Sequence, residues 1–191
     1  WRMIMLTVKD HNDQAVAAYA AVAGQYWIEA LKDGRHVLIR PLTEKDRLRE
    51  YDFIKRLSPE SRHMRFLAQI SEPGTALLDQ LMDTDNKQRT AFIALVHEHG
   101  KLIEIGISRY AATGEHQCEC AVTVADEWRH LGLGTLLMEH LIKAARHNGF
   151  RQMYSVDAAS NALMRDLAKS LGFETQNDPD DPHQVIHRLH L

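Results

Sequence analysis

Between residues 90 and 125 the chain reads as three β-strands with almost nothing between them. Residues 90–97 (TAFIALVH), 101–111 (KLIEIGISRYA) and 116–125 (HQCECAVTVA) are rich in Ile, Val, Thr and aromatic side chains, and only short turns containing Gly100 and Gly114 separate them. A parallel neighbour would need a crossover of a dozen or more residues, so these strands form an antiparallel meander. After it the period alternates. Residues 132–148 are amphipathic, carry Lys143, Arg146 and His147 near their end, and stop at Gly149. A strand over 150–156 follows, then a helix over 160–171 with Leu163, Leu167 and Leu171 on one face, ended by Gly172. Strands over 173–176 and 183–190 close the chain around the polar loop NDPDDP.

Upstream, residues 11–31 read as helical, with Val16, Tyr19, Ala20, Ala23 and Trp27 in an apolar stripe. Asp33-Gly34 is a turn signal, and residues 36–40 (HVLIR) are a short strand stopped by Pro41. Thr43 followed by Asp46 resembles a capping box and starts a helix over 44–57. Ser58-Pro59 starts a second helix through about residue 69, and a third fits 75–82. The expected architecture is α+β, a single mixed, mostly antiparallel sheet flanked by helices. Residues 1–34 are read as a partly helical N-terminal extension and residues 35–191 as the main domain. Trp27 is expected to anchor the extension, and Trp128 to pack beside the turn that follows it.

Composition narrows the function classes. The chain has 191 residues, 45% hydrophobic and 26% charged, which suits a single packed core rather than disorder. A formal net charge of −3 disfavours a polybasic surface for nucleic acid or membrane, and neither partner is expected. The longest apolar stretch, residues 15–24, is about half of the roughly 20 residues a bilayer helix needs. No basic-led signal peptide opens the sequence. Cys118 and Cys120 alternate on one predicted strand with parallel side chains, poor geometry for a mutual disulfide, so free thiols and a cytoplasmic setting are expected. His116 shares their strand face, but a structural zinc site calls for a second ligand pair at a distance, so buried thiols are the favoured reading and no metal is expected.

The segment Ala121-Val-Thr-Val-Ala-Asp-Glu-Trp-Arg-His-Leu-Gly-Leu-Gly-Thr135 carries the strongest chemical signal. A strand runs into a polar turn, and Arg129-His-Leu-Gly132-Leu-Gly134 opens a helix. Two glycines at a helix start let backbone N–H groups approach a ligand closely, and the helix dipole favours an anion there, such as a phosphate or pyrophosphate. No Lys follows Gly134 as a P-loop requires, and Leu137 stands where a dinucleotide fingerprint needs its third glycine. A glycine-containing turn with no ligand is the competing reading.

The pattern R-x-x-G-x-G after a strand, an Asn at a later helix start and Leu171-Gly172-Phe173 at that helix's end resemble the GNAT acetyltransferase family. The resemblance covers roughly residues 35–191 and implies the GNAT acyl-CoA N-acyltransferase fold with acetyl-CoA as cosubstrate. Arg129, Gly132 and Gly134 match the family's pyrophosphate motif, which implies that the N–H groups of His130, Leu131, Gly132, Leu133, Gly134 and Thr135 hold the pyrophosphate. Asn161 matches the cofactor-contacting Asn. The family also opens a gap between the strands near Val124 and Phe150, where the backbone of Val122 and Val124 would pair with the acetyl and pantetheine amides.

Ile39-Arg-Pro-Leu-Thr-Glu-Lys-Asp46 and Leu57-Ser-Pro-Glu-Ser-Arg-His-Met-Arg-Phe66 are similar to the opening of the GNAT domain in bacterial protein lysine acetyltransferases. That group carries a catalytic Glu where Glu119 stands. The resemblance implies direct attack by a primary amine in a ternary complex, with Glu119, expected to be partly buried, as general base. An acceptor ammonium has a pKa near 10.4 and must lose a proton first. The family's Tyr, seven residues after the Asn, is replaced by Ala168, which leaves the general acid open among Tyr154, Ser155, Ser160 and water. Arg62, His63 and Arg65 are read as a solvated helix face, with an acceptor groove as the alternative. The acceptor is a protein lysine or a small amine. A non-catalytic acyl-CoA sensor module and self-association into a homo-oligomer also stay open.

Overall fold

A computed structural model describes residues 24–191. Residues 1–23, and with them most of the helical reading of 11–31, lie outside the described residues. The part of that reading inside them is corrected: Trp27–Ala30 is a strand, β1. It pairs antiparallel with β2, His36–Pro41, from Trp27 opposite Ile39 to Ala30 opposite His36. Pairing to a buried neighbour decides this segment, where an Ala-rich run upstream suggested helix.

The rest follows the sequence closely. A 3-10 turn over Glu44–Asp46 leads into α1, Arg47–Arg56. The Thr43 N–H and hydroxyl both donate to Asp46 Oδ2, at 3.0 and 2.9 Å, and the Asp46 N–H donates to the Thr43 carbonyl at 2.9 Å. In α2, Pro59–Phe66, the Ser61 N–H donates to the Ser58 hydroxyl at 3.2 Å and Pro59 takes the first helical position. α3 is Thr75–Met82. The meander is β3, Arg89–Glu98, β4, Lys101–Gly114, and β5, Gln117–Val124. A 3-10 turn over Asp126–Trp128 precedes α4, Leu133–His147; β6, Gln152–Ala158, α5, Ala162–Ser170, β7, Glu174–Asn177, and β8, Gln184–His190, complete the chain.

All eight described strands form one sheet in the order β1-β2-β3-β4-β5-β6-β8-β7, in which β5–β6 is the parallel pair and every other pair is antiparallel. The sheet centre is covered on both faces. Gly106 and Ser108 meet α4, where the Ser108 hydroxyl donates to the Leu137 carbonyl at 3.0 Å, while Ile107 and Arg109 meet α1. Leu133, Leu137, Met138 and Leu141 of α4 are fully buried against the sheet. Ile105 is an extra residue in β4 at the shift between Ala94 and Leu95, a bulge that bends the strand where β5 ends.

The parallel pair is short, and this positions the site. β5 and β6 are in register only from Gln117 opposite Gln152 to Glu119 opposite Tyr154. Beyond that they part. Residues 120–124 pair with β4 on one side and with no described strand on the other, while β6 pairs along its full length with β8. α5 differs from expectation in its buried face, which runs through Met164 and Ala168, whereas Leu163 is exposed. Among the described helices none is long and apolar enough to cross a membrane.

Candidate active site

The parting of β5 and β6 opens a cleft of about 840 Å³, walled by β5, the turn before α4, α5 and the helices α2 and α3. Glu119, Val122, Val124, Arg129, His130, Gly132, Leu133, Gly134, Thr135 and Asn161 all line it. Leu131 does not. Its carbonyl instead accepts a hydrogen bond from the Lys32 N–H at 3.1 Å.

The turn before α4 leaves backbone donors unpaired at the cleft. His130 and Gly132 adopt positive φ, +63° and +87°. The first hydrogen bond of α4 runs from the Leu136 N–H to the Gly132 carbonyl, so the N–H groups of Leu133, Gly134 and Thr135 have no helical acceptor. They sit at the positive end of a 15-residue helix. Sequence reasoning missed a cation here. Lys32, at the tip of the β1–β2 hairpin, lines the cleft with its side chain packed over Gly132. No local pattern marks it, because the hairpin reaches the turn only through the sheet. Two neighbours hold the turn in place: Trp128 is buried beneath the Arg35 guanidinium, 3.9 Å from its ring centroid, and Asp126 accepts from the Ser58 N–H at 3.0 Å and the Ser61 hydroxyl at 2.5 Å.

Arg129 is less free than its motif suggests. Its guanidinium donates to the Ser61 hydroxyl at 2.6 Å and pairs with Asp126 at 3.1 Å, which ties α2 to the turn. Burial pushes the Asp126 carboxyl up, but the Ser61 hydroxyl, the Ser58 N–H and Arg129 outweigh it and hold the carboxyl below its ordinary value. Asn161 caps α5, its Oδ1 accepting from the Met164 N–H at 3.1 Å. Lys32, His130 and the free N–H groups are a donor set that suits a pyrophosphate, and the open edge of residues 120–124 suits an amide-bearing arm lying along β5.

The other end of the cleft mixes charges. Glu119 is exposed there, not partly buried as expected: the strands part just beyond it, and nothing described covers it. Glu60, Met64, Arg65 and Phe66 of α2 and Leu77, Gln80 and Leu81 of α3 line the same region. The helix-face reading of residues 62–65 therefore divides. Arg62 is structural, donating to the carbonyls of Leu57 at 2.5 Å and Ile70 at 2.9 Å, and His63 is exposed. Arg65 faces into the cleft, where burial pushes its guanidinium down to about 10 despite the nearby carboxylates. From β6, Val156 and Asp157 complete the wall. Ala168 is fully buried, so the position of the family's Tyr offers neither a hydroxyl nor access.

Both cysteines are buried free thiols. Burial pushes Cys118 up to about 12 and Cys120 well above its ordinary value. Among the described residues no group of three His, Cys, Asp or Glu side chains is placed to hold a metal ion.

Comparison with known proteins agrees with this geometry. Residues 51–173 match the model of the Acetyltransferase (GNAT) family. The chain is 64% identical over 181 residues to acetyltransferase PA5475 of Pseudomonas aeruginosa, covering 94% of this chain and 97% of that protein. It is 26% identical over 144 residues to acetyltransferase Pat of Mycolicibacterium smegmatis, covering 74% of this chain and 42% of that protein. The crystal structure of the GNAT domain of S. lividans PAT superposes with a TM-score of 0.80 at 23% identity, covering 87% of this chain and 97% of that one, and shares the fold. With a glycine turn opening α4, a parted parallel strand pair and a close relative of nearly full length, the chain belongs to the GNAT family and is an acetyl-CoA-dependent acyltransferase.

Proposed function

We propose that the protein moves an acetyl group from acetyl-CoA to a primary amine, a protein lysine ε-amine in the first instance, by direct attack with Glu119 as general base. The observation that carries this reading is the position of Glu119 in one cleft with the open edge of residues 120–124 and the α4 turn. Lys32, His130, Arg129 and the N–H groups from Leu133 to Thr135 would hold the pyrophosphate, with Asn161 and the backbone of Val122 and Val124 along the arm. An N–H near Val124 would stabilise the oxyanion of the tetrahedral adduct. Glu119 would take the proton that an acceptor ammonium must lose before it attacks. A direct route is favoured because Cys120, the thiol lining the cleft, is kept protonated by burial and makes a poor acyl carrier.

Lysine as acceptor is supported by the likeness of residues 39–46 and 57–66 to bacterial protein lysine acetyltransferases. The carboxylates of Glu60, Glu119 and Asp157 in the cleft suit a cationic acceptor. The two buried thiols fit a reducing, cytoplasmic setting. The test is Glu119→Gln, assayed by release of CoA thiol with a lysine peptide and with small amines. Acetyl-CoA should still raise the melting temperature of the variant while turnover falls by about 100-fold or more. Unchanged turnover would remove Glu119 as the base. Acetyl-CoA binding by the unmutated protein with no transfer to any amine would mark a sensor module instead.

A further inference from the structure

Asp157 is a cleft carboxylate to which the reading above gives only a share of the electrostatic field. Its side chain is 16% exposed and lines the β6 wall. The Ser155 hydroxyl donates to its Oδ2 at 2.7 Å. Behind it stands His187, fully buried, with Nε2 3.9 Å from the same Oδ2 and no hydrogen-bond partner. The other ring nitrogen, Nδ1, meets the Thr175 hydroxyl at 2.7 Å. Ser155, His187 and Thr175 form a row across β6, β8 and β7, because each is the register partner of the next. Arg65 of α2 lies within electrostatic reach of both Asp157 and Glu119, and Glu119 lines the cleft from β5.

Amide formation from an ammonium and a thioester moves two protons. The first leaves the ammonium before attack; Glu119, exposed to solvent, can pass it on. The second is carried by the nitrogen of the tetrahedral adduct and must end on the sulfur of CoA. The usual donor position in this family is Ala168, which has no proton to give.

We propose that Asp157 carries the second proton, its carboxylate taking it from the attacking nitrogen and its carboxylic acid giving it to the departing CoA sulfur. One N–C bond forms, one C–S bond breaks, a proton passes from nitrogen to sulfur, and Asp157 ends as the carboxylate it began. The proposal rests on the reading of the cleft as an acetyl-transfer site. Its surroundings suit a group that must hold a proton briefly: burial pushes the Asp157 carboxyl up, against the opposing pull of the Ser155 hydroxyl, His187 and Arg65. Burial also pushes His187 down, with Arg165 acting the same way and Asp157 opposing, which disfavours a charged ring behind the carboxylate.

The test compares two donors in Asp157→Asn. Acetyl-CoA needs a proton on its leaving group, whereas 4-nitrophenyl acetate does not. Turnover with acetyl-CoA should fall by about 100-fold, and transfer from 4-nitrophenyl acetate to the same amine should fall about tenfold less, because only the protonation of the leaving group is spared, while Glu119→Gln should lose both alike. Equal losses with the two donors, or no loss with acetyl-CoA, would overturn the proposal. Acetyl-CoA-dependent stabilisation reports whether the variant folds. If it does not, Ser155→Ala decides: losing a donor to the carboxylate favours its acid form, so the low-pH limb of kcat should move to higher pH, and an unmoved limb overturns the proposal. Wild-type protein that releases no CoA thiol with any amine overturns the transfer reading itself, and this proposal with it.

Discussion

The main-chain N–H of Lys32 donates to the carbonyl of Leu131 at 3.1 Å, so the tip of the β1–β2 hairpin is tied to the turn that opens α4. A cation from the far edge of the sheet is thereby held over the turn proposed to take the pyrophosphate, with its side chain across Gly132. Lys32→Ala removes that charge and leaves the backbone tie. Acetyl-CoA should bind about three- to tenfold more weakly, equivalent to about 0.7–1.4 kcal/mol. The deficit should shrink as salt rises, and kcat at saturating acetyl-CoA should be unchanged. Titration calorimetry at two ionic strengths checks it, and a deficit independent of salt would show that Lys32 acts through packing alone.

The two glycines of the turn serve different ends. Gly132 holds φ at +87°, where a side chain costs about 1–2 kcal/mol, and a Cβ would also stand 3.5 Å from the Lys32 Cε. Gly134 has ordinary helical space, with a Cβ 3.4 Å from Leu167 Cδ2 and 3.8 Å from Val124 Cγ2. Gly132→Ala should therefore lose stability and acetyl-CoA affinity together. Gly134→Ala should hold or gain stability, since Ala is the better helix residue by roughly 0.5–1 kcal/mol. Thermal melts with and without acetyl-CoA distinguish the two.

What could be read from the sequence was local. The meander, the capped helices and the glycine turn announce themselves within a few residues, because caps and short turns act at short range. Trp27 shows where that fails. Its apolar spacing suits the helix read over 11–31, yet its ring stacks on His140 at 4.2 Å and meets Phe92 edge-on at 5.4 Å, while Glu29 bonds His140 at 2.8 Å. Those contacts join residues far apart in the chain, Glu29 and His140 by 111 positions, which no period encodes. Asp157 and Lys32 escape for the same reason, as does the choice between the two readings of Arg65: each enters the cleft from a separate element, and only the parting of β5 from β6 brings them to one space.

Asp46 should dominate the acid sensitivity of the β2–α1 corner. Burial pushes its carboxyl up, but Arg40 in a two-point contact at 2.7 Å, the Thr43 N–H and hydroxyl, and Arg49 at 2.7 Å outweigh it and hold the carboxyl at about 2. A carboxyl held below its unfolded value of 3.8 contributes stability above that pH and loses it as pH falls toward 2. Its worth is about 2 kcal/mol. Asp46→Asn should cost about that much at neutral pH, and the gap to wild type should close between about pH 4 and 2 in urea melts. A constant gap through that range would mean the loss is packing rather than charge.

Glu104 should behave in the opposite sense. It is fully buried beside Glu50, which is held by Arg109 at 2.7 Å, and when protonated it shares its proton with Glu50 in a side-chain hydrogen bond. Burial, and then the charge of Glu50, push its carboxyl well above the ordinary value. A folded acid with a raised pKa binds its proton more tightly than the unfolded chain does. Its stability is present in full below the unfolded pKa and drains away as pH rises toward the folded one. Glu104→Gln keeps the shape and a donor for Glu50 and removes the titration. The variant should match wild type near pH 4 and become the more stable protein as pH rises through neutrality. Urea melts across that range test the sign, and a variant that loses stability relative to wild type as pH rises would show Glu104 to be the ionised partner of Arg109.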